Sequence, residues 1–434
     1  MGRPKKNPGS VVAAYVSKKV QGLEGMGDII TQTDILWDLL LKRLQRMART
    51  YGYQYTETAL LEELHLYENF YKNRKAELEG VISTSAGNKN IGLRHSFLPS
   101  ILRTYHQNKV YEKAPMSKWW YRGMVAGKEP ETEVLRSFYE FGFELFGAFS
   151  HLTEAQLIGT TWEFLKTLGL EDMSLEINSI GEEQCQRVYS ENLRDFLSGK
   201  KYDLCDSCNE HLRGRVLNVF RCGNLDCQAA AAEAPAILDF LDEKAHKHFT
   251  NILEALDELG VPYQLNPLHS GPDGHSKTNF VIKCKDKTKS YVLGEGGYHD
   301  ALMQNLGGKN FFCFGFSGNL SLLHELLQSA KIAVDQQVNI EVFLVPLGEL
   351  ASKKSLRLFR DLTNEKISVY DHFGEGGVKN QLKAAETFKA PVALILGQKE
   401  AMDEMVILRD VKSGMQEIIS YDKIVEEVKK RLGR

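Results

Sequence analysis

Apolar residues near the start of the chain recur every three or four positions, which predicts an amphipathic helix. The residues at this spacing are Ile35, Leu36, Leu39, Leu40, Leu44 and Met47. A second long helix is predicted from Pro235 to Gly260, because proline suits a first helical turn and glycine follows a helix end. Five segments rich in aromatic and β-branched residues predict strands: KWWYRGMV, SFYEFGFELFG, NFVIKC, SYVLG and FFCFGF. The pattern favours an α+β domain with a mostly antiparallel sheet.

The rhythm of the chain changes near residue 335. The strand-like segments IEVFLVPLG, KISVYDHF, APVALILG and MVILRDV are separated or followed by helical segments. This alternation predicts a separate small α/β domain over residues 335–434. Residues 24–334 are predicted to form the main domain, with an insertion at about 180–260. Residues 1–23, which begin GRPKKNPGS after the first Met, are predicted to form a basic flexible tail.

Composition adds limits to this picture. The chain has 434 residues, 43% hydrophobic and 26% charged, as expected of a soluble globular protein with two or three domains. The formal net charge of −3 gives no general attraction to nucleic acid, so RNA binding would need a local basic patch. No run of about 18 apolar residues occurs and no secretory signal is evident, so we expect a cytoplasmic protein that does not associate with membranes.

Four of the seven cysteines form a C-x2-C-x13-C-x4-C cluster, made of Cys205, Cys208, Cys222 and Cys227. A C-x2-C turn presents two thiolates to one metal, and tetrahedral Zn²⁺ requires four ligands. The spacing favours structural zinc. Free buried thiols and a redox pair remain as alternatives.

Two glycine-containing segments follow each other along the chain, LHSGPDGHSKTNF at 268–280 and GEGGYHDALMQNLGG at 294–308. They resemble two motifs of histidyl-tRNA synthetases, the loop L-V-R-G-L-D-Y-Y with its T-x-F ending and the segment G-G-R-Y-D-G-L-x-x-x-L-G-G. SFYEFGFELFG resembles the second half of class II motif 2, RTYGYQYTETALLEE resembles motif 1, and IGLRHSFLPS resembles L-R-P-E-x-T. The segment from GGVKNQLKAAE onward is close to the family's anticodon-binding domain.

The resemblance implies a class II synthetase-like antiparallel sheet domain with a helical, cysteine-rich insertion, joined to an α/β anticodon-binding-like domain. It also implies a homodimer and, for an active member, ATP and Mg²⁺. Family members stabilise the charged phosphate with three arginines. At the first two of these places this chain has Arg122 and Ser270. At the third, the segment GFSGNLSLLHELL has no basic residue before His324.

The positions that hold histidine in the family have also changed. Among the polar residues that the resemblance implies around a bound histidine, only Glu144 is retained. Glu144 and Arg122 are therefore the two remnants of the family site. The degenerate positions are Ser96, Leu98, Met124, Glu140, Ser270, Gly274, His275, Tyr298 and His299. His269, His275 and His299 either replace lost acid–base groups or form the polar lining of a vestigial pocket, and we favour the second interpretation.

Possible RNA contacts remain in the C-terminal domain. The resemblance implies an RNA-facing set there, consisting of Lys379, Gln381, Lys383, Arg409 and Lys412. A solvated charged surface is an equal alternative. The hairpin loop of motif 2 carries Glu129, Glu131 and Glu133, with Glu140 in the next strand, and these acids are expected to repel an RNA acceptor stem.

The sequence therefore favours a pseudoenzyme of this family that binds tRNA or a tRNA-like RNA, or that regulates a protein partner. Whether the chain is an enzyme stays open. One alternative is a divergent but active histidine–tRNA ligase. A second alternative is a regulatory subunit of the ATP phosphoribosyltransferase type, although such subunits normally lack the C-terminal domain.

Overall fold

A computed structural model of the chain describes residues 21–30, 35–72, 74–114, 116–147, 150–271, 274–286, 289–307, 311–330, 340–371 and 377–434. The chain divides into two compact units, Met1–Ala333 and Val334–Arg434. Most of the predicted basic tail lies outside the described residues, as does Asp273 of the loop at 268–280.

The first unit is built on an eight-stranded sheet with the order β1-β5-β6-β11-β10-β9-β7-β8 and a three-stranded sheet with the order β2-β4-β3. Only the pairs β1–β5 and β7–β8 of the large sheet are parallel. The strands are β1 (Gln54–Tyr55), β2 (Leu61–Glu63), β3 (Ser83–Ala86), β4 (Lys89–Leu93), β5 (Met116–Lys128), β6 (Leu135–Gly147), β7 (Met173–Ser179), β8 (Gln264–Leu265), β9 (Ser276–Lys285), β10 (Ser290–Tyr298) and β11 (Cys313–Asn319). The predicted fold class, a mostly antiparallel class II-like sheet domain, is confirmed.

Helices cover one face of the large sheet. The helices of this unit are α1 (Ile35–Thr50), α2 (Leu64–Phe70), α3 (Lys75–Glu79), α4 (Phe97–Gln107), α5 (Val110–Lys113), α6 (His151–Thr167), α7 (Glu183–Ser198), α8 (Asp206–His211), α9 (Leu225–Ala232), α10 (Glu243–Glu258), α11 (Asp300–Asn305) and α12 (Leu320–Ser329). Apolar residues of α1, α6, α10 and α12 form one core with Phe141, Phe143 and Leu145 of β6. Because side chains alternate along a strand, Glu140, Gly142 and Glu144 project from the opposite face of the sheet. We call that opposite face the pocket face.

The second predicted helix begins later than expected. Residues Ile237–Phe240 form a separate 3₁₀ turn, and α10 starts at Glu243 rather than at Pro235. The side chain of Asp242 accepts a hydrogen bond of 2.7 Å from the backbone N–H of Ala245 and caps the helix. This carboxylate cap sets the start of α10 at Glu243, so Pro235 does not lie in the first turn of the helix.

The insertion between β7 and α10 is a small helical module with its own core. It consists of α7, α8, α9 and the 3₁₀ segments Lys201–Asp203, Val216–Arg221 and Ile237–Phe240. Tyr189, Leu193, Val216 and Val219 are buried together in it. We call residues 201–232 the cysteine module.

The second unit has a five-stranded sheet with the order β13-β12-β14-β15-β16. Its elements are β12 (Val342–Pro346), α13 (Glu349–Asn364), β13 (Val369–Asp371), α14 (Val378–Thr387), β14 (Val392–Leu396), α15 (Gln398–Met402), β15 (Met405–Asp410), β16 (Gln416–Ser420) and α16 (Tyr421–Arg431). The strands β13, β12 and β14 are parallel, and β15 and β16 add an antiparallel hairpin. Among the described helices of the whole chain, none combines the length and apolarity of a membrane span.

Candidate ligand pocket and cysteine centre

Glu140 on the pocket face is bound to the start of helix α4. Its carboxylate accepts hydrogen bonds from the backbone N–H of Phe97 at 3.1 Å and from the hydroxyl of Ser96 at 3.4 Å. Ser96 is also the N-cap of α4, where its side chain accepts from the backbone N–H of Leu98. Burial raises the pKa of Glu140 to about 7. The fold thus brings together Ser96 and Glu140, two of the positions predicted to be degenerate.

Glu144 lies four residues further along β6, on the same face, and belongs to a buried chain of polar groups. Its Oε2 is 3.5 Å from Nε2 of His299. Nδ1 of His299 is 3.1 Å from Nε2 of His275, and Nδ1 of His275 is 2.9 Å from Oδ1 of Asn279. All four side chains are at most 5% exposed. We call Glu144, His299, His275 and Asn279 the buried polar chain.

The hydrogen-bond pattern assigns the protons along this chain. The amide Nδ2 of Asn279 donates to the carbonyl of Lys277 at 3.2 Å, so its Oδ1 is the acceptor that faces His275. A neutral His275 therefore carries its proton on Nδ1 and accepts on Nε2 from Nδ1–H of His299. Nε2 of His299 is then an acceptor, and it faces the carboxyl group of Glu144.

Burial determines the charge state of the chain. Burial raises the pKa of Glu144 well above its usual range, and the nearby Glu140 raises it further. Burial also lowers the pKa of His299 to about 3 and that of His275 well below its usual range. Both imidazoles are therefore neutral at pH 7, and burial favours the protonated form of Glu144. Such a chain is stable inside a protein because none of its members carries an uncompensated charge.

Two glycines make room for the buried polar chain. A Cβ atom at Gly315 of β11 would overlap the carboxylate of Glu144, and one at Gly297 of β10 would overlap the amide of Asn279. Gly297 also has φ of +159°. The glycines of GEGGYHDAL therefore lie in a strand and permit close packing across the sheet, which agrees with backbone packing rather than phosphate binding.

Three of the predicted site residues do not reach the pocket face. Arg122 pairs with Phe141 and Met124 pairs with Tyr139 across β5 and β6, and side chains of such pairs share a face. Phe141 belongs to the core beneath the helices. Tyr298 also points that way, because its hydroxyl contacts Glu154 and lies 3.2 Å from Nε2 of His248. The prediction that Arg122 retains the place of a phosphate-binding arginine is therefore wrong.

Sequence reasoning missed a buried arginine close to the pocket face. Arg94 is 5% exposed, and its guanidinium lies 3.8 Å from the centre of the Phe97 ring. It donates to the carbonyls of Met124 and Thr58 and to the carboxylate of Glu57, at 3.1–3.2 Å. The L-R pair in IGLRHSF was the available signal. Since its donors are used within the protein, Arg94 holds β5 to the preceding loop rather than facing a ligand.

Ser270 and Gly274 line two different cavities. One cavity, of about 760 Å³, is lined by Arg74, Lys277 and the far side of His275. The other, of about 670 Å³, is lined by Ser270, His269 and Arg221. We call the second one the Arg221 cavity. Gly274 has φ of +86°, and a side chain there would overlap Leu302, so a tyrosine does not fit at this position.

The four cysteines of the cluster come together in the cysteine module. Their sulfur atoms all lie within 4.8 Å of one another, and the Sγ atoms of Cys205 and Cys222 are 3.8 Å apart. The backbone N–H of Cys205 donates to Sγ of Cys227 at 3.1 Å. Hydrogen bonding from the backbone of Cys208 lowers the pKa of the Cys205 thiol to about 7.

This donor set fits a tetrahedral metal. Four thiolates at about 2.3 Å from Zn²⁺ are separated by about 3.8 Å from one another, because the edge of a tetrahedron is about 1.6 times the distance to its centre. Zinc would be held by Cys205, Cys208, Cys222 and Cys227. Four thiolates leave no open coordination position, so such an ion would support folding of the module.

In the C-terminal unit, four of the five predicted RNA-binding residues reach the surface. Lys379, Lys383 and Lys412 are exposed and Arg409 is partly exposed. Gln381 is 2% exposed, and its amide donates to the carbonyl of Pro346 at 3.1 Å. Its buried side chain supports the packing of α14 on β12, so the prediction of an RNA contact at Gln381 is wrong.

The acidic residues near the motif 2 hairpin are less repulsive than expected. Glu129 pairs with Arg136, and Glu133 pairs with Lys128 at 3.1 Å. Glu140 is buried. Only Glu131 of the four therefore presents an exposed carboxylate that is not balanced by an adjacent cation among the described residues.

Comparison with known proteins gives two family matches. Residues 36–323 match the family model described as histidyl-tRNA synthetase. Residues 341–431 match the model described as anticodon binding domain.

Curated relatives match over nearly the whole chain. A histidine–tRNA ligase of Dehalococcoides mccartyi is 29% identical over 416 residues, which cover 95% of this chain and all of the relative. A histidine–tRNA ligase of Thermosipho melanesiensis is 30% identical over 412 residues, covering 94% of this chain and 97% of the relative.

Solved structures share the fold. The apo histidyl-tRNA synthetase of S. aureus superposes with a TM-score of 0.78 at 23% identity, covering 95% of this chain and all of that one. A protein of Bacillus halodurans described as an ATP phosphoribosyltransferase regulatory subunit/histidyl-tRNA synthetase has a TM-score of 0.61 at 17% identity, covering 87% of this chain and 98% of that one.

Replacing Glu140 with Gln is expected to stabilise the protein more at pH 8 than at pH 5. The pKa of this carboxyl rises from 4.5 to about 7 on folding, so the folded chain binds more protons than the unfolded chain between these values. Stability from this group is present below pH 4.5 and is lost as the pH rises through 7. The difference is at most about 3 kcal/mol. Thermal unfolding at both pH values measures it.

The comparison of Glu140→Gln with wild type removes the contribution of the buried histidines, which is the same in both proteins, and includes the accompanying change at Glu144, whose pKa Glu140 raises. Their pKa values are lowered on folding, so their effect has the opposite sign and reduces stability as the pH falls from 6.5 toward 3. Glu131→Gln, at an exposed carboxylate, is the control and should change stability little. An equal effect of Glu140→Gln at both pH values would contradict the prediction.

Proposed function

Because this chain belongs to the histidyl-tRNA synthetase family, we propose that it binds tRNA or a tRNA-like RNA and does not activate histidine efficiently. The C-terminal unit, which matches the anticodon-binding family model, supplies the RNA-binding surface. Unstacked bases of single-stranded RNA loops are what such surfaces recognise. A homodimer in the cytoplasm and regulation of a protein partner are further parts of this proposal.

The observation that carries the proposal is the buried polar chain. Glu144 is the retained family residue that would contact the substrate histidine, and the imidazole of His299 lies 3.5 Å from its carboxylate. A second imidazole, from His275, supports the first at 3.1 Å. The imidazole of His299 thus takes the place next to Glu144 that a bound imidazole would need, and the imidazole of His275 lies behind it.

The phosphate site supports the same conclusion. Arg122 lies on the face away from Glu144, and Ser270 carries no charge. Each charge-assisted hydrogen bond contributes about 1.5–3 kcal/mol, so loss of two or three would slow activation by roughly two to six orders of magnitude. Such contributions are not additive, and the sum therefore gives a direction and a scale. The residues at these positions do not fit the phosphates of ATP.

The second candidate is a divergent but active histidine–tRNA ligase, and the comparisons favour it over a non-catalytic role. Curated relatives at 26–30% identity over at least 92% of this chain carry that name. An active enzyme of this kind would require ATP and Mg²⁺ and would have to move His299 away from Glu144. The likeness to the Bacillus halodurans regulatory subunit/synthetase raises a third candidate, a regulatory subunit.

We also propose that the cysteine module binds one structural zinc ion. Purified protein is expected to contain about one zinc per chain by elemental analysis, and Cys205→Ser or Cys227→Ser should remove most of it, because three thiolates hold Zn²⁺ less tightly than four. Cys284→Ser, at a buried thiol of β9, is the control. Zinc-free protein that also fails to take up Co²⁺ with a tetrahedral thiolate spectrum would contradict this proposal.

Histidine-dependent ATP–pyrophosphate exchange tests the proposed loss of activation. The rate of this chain is expected to lie at least about 100-fold below that of an intact synthetase assayed in parallel, for the electrostatic reasons given above. Exchange with each other amino acid is measured as a control for altered specificity. Robust exchange with histidine would favour the active-ligase candidate.

Removal of Lys379 and Lys383 tests the RNA surface. These exposed lysines lie one helical turn apart on α14, and the double change to Ala is expected to weaken tRNA binding by about tenfold or more. Loss of two phosphate contacts should also lower the slope of log affinity against log salt by about 1.5. Filter binding at several salt concentrations measures both. Lys423→Ala on α16 is the control, and equal binding by all variants would argue against this surface.

A further inference from the structure

The four cysteines of the cluster are not equivalent. Cys205 and Cys222 are partly exposed. Cys208 and Cys227 are 1% and 0% exposed, and they lie within the helices α8 and α9. Cys205 instead precedes α8, and Cys222 follows the 3₁₀ segment Val216–Arg221. We call Cys205 and Cys222 the outer pair, because solvent reaches these two thiols and the helices do not contain them.

The two sulfur atoms of the outer pair are close together. Sγ of Cys205 lies 3.8 Å from Sγ of Cys222. A disulfide bond is about 2.05 Å long, so the two sulfurs would have to approach by about 1.8 Å to form one. Both residues have extended backbone, with φ of −67° and −69°. The change required is therefore a local one, at two residues outside the hydrogen-bonded helical turns.

The other three cysteines of the chain lack these features. Cys185, Cys284 and Cys313 are at most 5% exposed and lie in three separate elements, α7, β9 and β11. The thiol of Cys284 donates to the carbonyl of Glu171 at 3.2 Å. Oxidation of a cysteine requires a thiolate that the oxidant can reach. These buried thiols are therefore internal controls for the outer pair.

An apolar core holds the cysteine module together independently of its sulfur atoms. Val216, Leu217 and Val219, from the segment that ends next to Cys222, are at most 2% exposed. They pack with Leu193 of α7 in the module core. Full burial of each such side chain stabilises the fold by about 1.5–3 kcal/mol. Loss of a metal would therefore leave the thiols of the outer pair near each other, so that the change can be reversed.

We propose that Cys205 and Cys222 form a reversible redox site, where hydrogen peroxide converts two thiolates to a disulfide and the module releases its zinc ion. The inference goes beyond the zinc site proposed above and rests on it only for the release of metal. A zinc-free module would form the same disulfide, because the sulfur positions are set by the fold. Disulfides in the reducing cytoplasm are usually transient, which suits a reversible site.

The oxidation is a two-electron step. The thiolate of one outer cysteine attacks the O–O bond of the peroxide and becomes a sulfenic acid, and the second oxygen leaves as water after protonation. The other thiolate attacks the sulfenic sulfur, the S–S bond forms, and the S–O bond breaks with release of a second water. Two thiolates, one H₂O₂ and two protons thus give one disulfide and two waters. The inner thiolates alone do not complete the four ligands of Zn²⁺.

The outer pair is connected to the Arg221 cavity along the chain. Arg221 immediately precedes Cys222, and its side chain lines that cavity. The guanidinium of Arg221 lies 4.0 Å from Oε1 of Glu295 on β10. Movement of Cys222 toward Cys205 would shift Arg221 relative to Glu295. Oxidation is therefore expected to change the wall of this cavity as well as the zinc content.

Peptide mapping of the full-length wild-type protein tests the pairing. The protein is treated with hydrogen peroxide, its remaining thiols are alkylated, and it is cut with trypsin and an Asp-specific protease. Cleavage before Asp206 and Asp226 separates the cysteines of each half of the cluster, so every possible pairing has its own mass. The Cys205–Cys222 link is expected as the main disulfide. It should form about tenfold or more faster than Cys284 is oxidised, because Cys284 is buried.

Zinc release and two variants test the mechanism. A coloured chelator should report about one zinc released per chain as the disulfide forms, and dithiothreitol with added zinc should restore both. Cys208→Ser should still form the Cys205–Cys222 link. Cys222→Ser should accumulate sulfenic acid at Cys205, trapped by dimedone. Cys284→Ser is the matched control and should behave as wild type does. Circular dichroism establishes folding, and the wild-type map decides the pairing without any variant.

A main disulfide that includes Cys208 or Cys227 would overturn the proposal, as would oxidation of the outer pair no faster than that of Cys284. Zinc content before oxidation judges the zinc site separately. Zinc-free protein that forms the Cys205–Cys222 link would contradict that site and support the redox pair. Hydrogen exchange of the segment Val216–Arg221 is expected to differ between the reduced and oxidised forms, and an unchanged segment would overturn the connection to the Arg221 cavity.

Discussion

The arrangement of the pocket face depends on one requirement, that polar groups buried in the sheet remain uncharged and hydrogen-bonded. Asn279, His275 and His299 meet it as a chain in which the imidazoles donate in one direction, and the carboxyl group of Glu144 lies 3.5 Å from the remaining nitrogen of His299. Burial raises the pKa of the acid and lowers those of the histidines, so it favours the uncharged form of each of them. Removing one member would leave its neighbour without a partner, at a cost of about 1–3 kcal/mol.

This requirement explains other features of the same region. Glycine is needed where the strands approach the buried polar chain, at Gly297 and Gly315. Glu140 is held apart from the chain by the start of helix α4 through the N–H of Phe97. The neutral chain leaves no charge for an anionic substrate at this place. Charged side chains that line a cavity lie elsewhere, at Arg74 and Lys277 in one cavity and at Arg221 and Glu295 in the other.

The fold was predictable from the sequence to a large extent, because long alternating strands and ordered family motifs are strong signals. The cysteine spacing likewise predicted the cluster that the fold assembles. What the sequence did not reveal depends on strand parity and burial. Arg122 differs from a pocket-facing residue by one position on β5, and a one-residue difference reverses the face of a strand. Gln381 looks like a surface residue until the packing of α14 buries it.

The contacts of the buried polar chain could not be predicted from residue spacing, because they depend on side-chain geometry between separate strands. Glu144 lies in β6 and Asn279 in β9, whereas His275 immediately precedes β9 and His299 immediately follows β10. The most direct test of the account is a crystal structure of the protein grown with saturating histidine and ATP. The account predicts that His299 stays beside Glu144, hydrogen-bonded to His275, with no histidine between them. Density for a bound histidine against Glu144, with the ring of His299 turned away, would contradict it.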